Sequence, residues 1–102
     1  MPVYHIVLFR LKQGVTPTQL TNWSKVSQAM VGQIPGLRSI KSNQPLPISV
    51  PRAKGFDMGL VAVLDKPEDV AVYAKHPAHL EVQKIREELC EDTLAYDLEF
   101  EE

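Results

Sequence analysis

The sequence predicts one α+β domain in the order βαββαβ, with a four-stranded antiparallel sheet. Three observations support this. Strand-like segments alternate at a period of two, longer segments carry apolar stripes at helical spacing, and Pro and Gly stand at the junctions. The chain has 102 residues, so residues 1–102 are read as a single domain.

Residues 3–12 read as a strand. Val3, His5, Val7, Phe9 and Leu11 share one face; Tyr4, Ile6 and Leu8 share the other, which turns basic at Arg10 and Lys12. Thr16-Pro17-Thr18-Gln19 opens a helix with a capping box and proline at the first helical position. Leu20, Trp23, Met30, Val31 and Ile34, with small Ser27 between, form its stripe, and Pro35-Gly36 is its expected stop. Leu37 to Asn43 reads as a second strand, weakly patterned. Residues 44–54 hold three prolines and read as a loop.

Phe56 to Leu64 reads as the third strand. Phe56, Met58, Leu60, Ala62 and Leu64 lie on one face, with Asp57, Gly59, Val61 and Val63 on the other. Lys66-Pro67-Glu68-Asp69 opens a second helical region, with carboxylates where the helix dipole favours them. Pro77 interrupts it after His76. A longer helix then runs to about Cys90 on the stripe Ala78, Val82, Ile85, Leu89. Leu94, Tyr96, Leu98 and Phe100 alternate with Thr93, Ala95, Asp97 and Glu99 in a final strand.

The net charge of −2 gives no basic excess, so neither nucleic acid nor an anionic membrane surface is an expected partner. No stretch is apolar for long enough to span a bilayer. Cys90 is the only cysteine, which excludes an intrachain disulfide and suits a reducing compartment. The N-terminal apolar run reads as a strand and not as an export signal, so a cytoplasmic location is expected.

Two helical segments can cover only one face of such a sheet. The other face, with Tyr4, Ile6, Leu8, Val61 and Val63, is apolar where a solvated face is polar. A second copy of the sheet is the simplest cover, so a twofold homodimer through the sheet face is expected.

Histidine is the side chain suited to proton transfer near neutral pH. His5 points with Val7 and Phe9 toward the helices, where it needs a partner or a cavity. His79 lies roughly 90° from the centre of its helix's apolar stripe, which suits a pocket rim or an ordinary surface site. His76 precedes Pro77 and can cap the following helix; Tyr73 lies one turn before the break. His76-x-x-His79 has no further Cys/His partner at a familiar spacing, so no metal is expected. There is no phosphate-binding glycine loop and no nucleophile elbow.

His5-Ile6-Val7-Leu8-Phe9-Arg10-Leu11-Lys12, Ile34-Pro35-Gly36 and Tyr73-Ala74-Lys75-His76-Pro77-Ala78-His79 together resemble the stress-responsive dimeric α/β-barrel domain family. The Tyr-x-x-His-Pro-Ala-His segment is the most specific part. The resemblance implies a ferredoxin-like protomer whose sheet packs on its twin to form a dimeric α/β barrel. The family includes a plant polyketide cyclase that closes a linear thioester by aldol condensation. By that resemblance His79 is the catalytic histidine, Tyr73 assists it, and His5, Val7, Phe9 and Trp23 line the pocket, where Leu60 and His76 join them. Trp23 stands where the cyclase has a smaller aromatic, and the loop Pro45–Pro51 differs in composition.

Two functional readings follow. One is a polyketide cyclase or related lyase that needs no cofactor, with His79 as general base, Tyr73 polarising a carbonyl and His5 supporting the pocket, acting on a small apolar or polyketide-like ligand. The other is a non-catalytic stress-response or small-ligand-binding protein. A solvent-reachable cavity of about 300 Å3 or more, lined by His5, Tyr73 and His79, favours a ligand site over a filled core.

Overall fold

The computed structural model describes all 102 residues. The elements are β1 (Val3–Leu11), α1 (Pro17–Gln28), β2 (Leu37–Asn43), a 3-10 turn at Val50–Arg52, β3 (Met58–Leu64), α2 (Glu68–Lys75), α3 (Pro77–Leu89) and β4 (Cys90–Glu99). The four strands pair antiparallel in the order β2-β3-β1-β4, so β1 is paired on both edges.

The capping box at Thr16 forms as its residues require. The Thr16 hydroxyl accepts from the Gln19 N–H at 3.2 Å, and Gln19 Oε1 accepts from the Thr16 N–H at 2.8 Å. The far end of the helix differs from expectation: α1 stops at Gln28, not at Pro35-Gly36. Gly32 adopts φ 94°, outside helical geometry, and the preceding residues close tight turns such as Met30 N–H to Ser27 C=O. Met30 and Ile34 are still buried, so turns satisfy the apolar spacing that read as a longer stripe.

Two further boundaries move. β3 begins at Met58, because Asp57 ties back to β1: its N–H donates to the Phe9 carbonyl, and its carboxylate accepts from the Leu11 N–H at 2.8 Å. Phe56 packs instead beneath the Arg10 guanidinium, 4.7 Å from its ring centre. β4 starts at Cys90 directly from α3, so Cys90 is a strand residue and not the last residue of a helix.

Register sorts the side chains into two faces. Toward the helices stand the rows Leu64–Val3–Glu99, Ala62–His5–Asp97, Leu60–Val7–Ala95 and Met58–Phe9–Thr93. The core collects on this side, with Met30, Ile40, Leu64 and Ser27 fully buried. Away from the helices stand Val63–Tyr4–Leu98, Val61–Ile6–Tyr96 and Gly59–Leu8–Leu94. This second face is apolar and open: Leu94 is 52% and Tyr96 62% exposed.

In the turn between α1 and β2 the Asp69 side chain packs directly against the Gly36 backbone. Gly36 has φ 84°, and a Cβ there would lie 2.3 Å from Asp69 Oδ2 at the start of α2. Gly36→Ala should therefore cost more than about 2 kcal/mol in chemical denaturation, from left-handed strain plus the clash. Adding Asp69→Ala should return only the steric part. Gly32→Ala, which meets nothing within 4 Å, should show backbone strain alone. Equal losses at Gly36 and Gly32 would contradict the packing described.

Candidate functional site

A cavity of about 260 Å3 lies between the sheet and the helices. Val7, Phe9 and Leu60 of the sheet line it, with Trp23 of α1, Val70 of α2 and Val82 of α3. It reaches β4 at Thr93 and Ala95, which are exposed. Its volume falls below the ~300 Å3 expected of a ligand site, so the space limits any occupant to a small molecule.

The polar groups reach this cavity because of one break in the chain. Pro77 cannot donate a helical hydrogen bond and biases its predecessor out of the helical region, so His76 is extended at φ −65°, ψ 139°. α2 ends and α3 restarts at a new angle. The His76 ring accepts from the Ala78 N–H at 3.0 Å, capping α3. His76 therefore does not line the cavity, unlike the expectation from sequence; its proximity in the chain to His79 is used for capping.

Tyr73 and His79, on either side of the break, come together with ring centres 4.5 Å apart. His5 meets Tyr73 edge-on at 5.1 Å. The three rings expected from sequence thus share one cavity, along with Val7, Phe9, Trp23 and Leu60.

Each ring is set for a different task. His79 Nδ1 lies 3.0 Å from the Ala74 carbonyl, which can only accept, so Nδ1 bears the proton and Nε2 keeps its lone pair. Burial pushes the His79 pKa below its ordinary 6.5, the Ala74 bond opposes this, and the nearby charges of Arg86 and His5 lower it further. His79 is therefore neutral at pH 7. Burial drives the Tyr73 pKa up to about 12, so its hydroxyl stays protonated and able to donate. That hydroxyl has no partner within the chain. His5 Nδ1 is held by the Asp97 carboxylate at 2.5 Å, across the β1–β4 pair. Trp23 is 2% exposed, and its Nε1 is a buried donor with no partner in the chain.

Sequence reasoning missed polar residues here, Thr93 of β4 among them. Gln83 and Arg86 line the cavity from α3, and Asp97 anchors His5. A signal existed for Gln83 and Arg86: they follow His79 at i+4 and i+7, on one helical flank. Asp97 carries no such signal, since only the register of β4 against β1 sets it opposite His5. Cys90 lies outside the cavity, and burial pushes its thiol up to about 11, which leaves it unreactive. No cluster of three metal-ligating side chains occurs, and no helix is long and apolar enough to cross a membrane.

Known proteins share this fold. A dimeric ferredoxin-like protein from Thermobifida fusca is 27% identical over 98% of this chain and 92% of its own, with a TM-score of 0.82. A dimeric ferredoxin-like protein from Bacteroides fragilis is also 27% identical, over 97% and 96%, with a TM-score of 0.75. Hydroxynitrile lyase from Passiflora edulis has the same fold at 22% identity, over 99% and 94%, with a TM-score of 0.85. No curated protein matches the sequence. With a ferredoxin-like fold and residues 3–100 matching the stress responsive A/B barrel domain, the chain belongs to that family.

Proposed function

We propose that this protein is a homodimeric, cofactor-independent lyase or polyketide cyclase that makes or breaks a carbon–carbon bond beside a carbonyl. The observation that supports it most is the neutral His79, with Nε2 free, beside the un-ionised hydroxyl of Tyr73 in one apolar cavity. The lyase from Passiflora edulis is a precedent for lyase chemistry on this fold.

The steps follow from these two groups. Nε2 of His79 removes a proton from carbon α to the substrate carbonyl. The electron pair moves onto the carbonyl oxygen, which accepts a hydrogen bond from Tyr73. The enolate carbon then attacks a second carbonyl of the same molecule, and the resulting alkoxide takes the proton back from His79. Cleavage is the reverse. A base of this kind supplies about 10²–10⁴-fold, and a donor placed at the developing oxyanion adds further. Asp97 holds the His5 ring against Tyr73, which fixes the phenol.

The dimer reading rests on the open apolar face of β1, β3 and β4, whose rows continue across three strands. The dimeric relatives from Thermobifida fusca and Bacteroides fragilis support it.

Three outcomes are expected. With a short β-keto thioester in D2O, the protein should speed α-proton exchange followed by NMR; His79→Ala should abolish this, and Tyr73→Phe should lower kcat about 10–10³-fold while the circular dichroism stays native. Unchanged exchange by His79→Ala would exclude the mechanism. The rate should fall on the acid side with a midpoint below 6.5, since protonation removes the lone pair and the folded pKa is depressed. An acid limb above 6.5 would contradict that assignment. In sedimentation the wild type should run as a dimer and Leu94→Glu/Tyr96→Glu as a monomer; a wild-type monomer would contradict the interface.

A further inference from the structure

Arg86 is the only lysine or arginine lining the cavity, and it is half-buried. Its side chain forms no ion pair and no hydrogen bond within the chain. None of the carboxylates pairs with it, and several of them are bound elsewhere. Asp97 is bound to His5 and Asp92 to Arg10; Asp57 accepts from the Leu11 N–H and Glu87 from Gln83 Nε2. A half-buried guanidinium without a partner, in a cavity lined mainly by apolar residues, is an unbalanced charge. It stands one helical flank along from His79, at i+7, with Gln83 between.

We propose that the substrate of this site is a small oxo acid whose carboxylate pairs with Arg86. The inference rests on the proposed role of His79 and Tyr73 and names the substrate class they act on. The planar guanidinium fits a carboxylate with two parallel hydrogen bonds. The keto oxygen then lies at Tyr73, and the carbon between keto and carboxylate groups faces His79. A cavity of about 260 Å3 limits the ligand to a short chain. A phosphate is a poorer match, since a single lysine or arginine lines the cavity.

The test compares acetoacetate with its methyl ester, which keeps the β-keto skeleton and loses the charge. Binding is followed by NMR through the signals of Tyr73 and His79 at pH 7. Acetoacetate should bind the wild type at least about 10-fold tighter than the ester. Arg86→Gln should erase that preference while ester affinity stays as it was, which also shows the cavity intact. Arg86→Lys should keep part of the preference. Equal affinities in the wild type, or an undiminished preference in Arg86→Gln, would overturn the carboxylate assignment alone. Failure of both ligands to reach Tyr73 and His79 would overturn it together with the function proposed for the site.

Discussion

The whole molecule depends on β1 being apolar on both faces. A strand of this kind cannot sit at an edge or over water, so it takes the centre, with β3 and β4 on either side. Alternation then assigns its residues. Val3, Val7 and Phe9 go under the helices, and Tyr4, Ile6 and Leu8 go to the outer face. His5 falls on the inner set with no apolar reason to be there. Its ring is retained at that depth because Asp97 stands opposite on β4 and supplies the partner that burial requires. One strand thus builds the floor of the cavity and one side of an open apolar surface.

The site is made by a fault in the second helical region. A continuous helix through residues 68–89 would present its residues along one axis. Pro77 prevents this, and His76 turns the backbone and then caps the restart. The result is that Tyr73, from the end of α2, faces His79, from the first turns of α3. The short uncovered stretch of β4 leaves the way in. Thr93, Ala95 and Asp97 stay exposed there. The same incomplete cover that opens the cavity also half-buries Arg86 without giving it a counter-ion.

Much of this was legible in the residues. The alternation in β1 and β3, the capping box at Thr16 and the Pro77 break each have a local cause, and each forms where that cause places it. The end of α1 was not, because Met30 and Ile34 keep helical spacing while Gly32 turns the chain by a left-handed residue. His76 was ambiguous between cap and pocket, and only the direction of its ring decides. The His5–Asp97 pair depends on strand register between residues at opposite ends of the chain, and no local pattern encodes it. Arg86 stayed hidden for a related reason. A cation in the last turns of a helix is ordinary in sequence, and its lack of a partner is visible only once every neighbouring carboxylate has been placed.

The central claim is that His79 waits as a neutral base with its Nε2 lone pair directed to the substrate. The most direct measurement is the nitrogen NMR of the imidazoles at neutral pH, with His79 assigned by its loss in a His79 variant. The account predicts a neutral His79 ring with the proton on Nδ1, held by the Ala74 carbonyl. A ring protonated on both nitrogens, or one bearing its proton on Nε2, would contradict it.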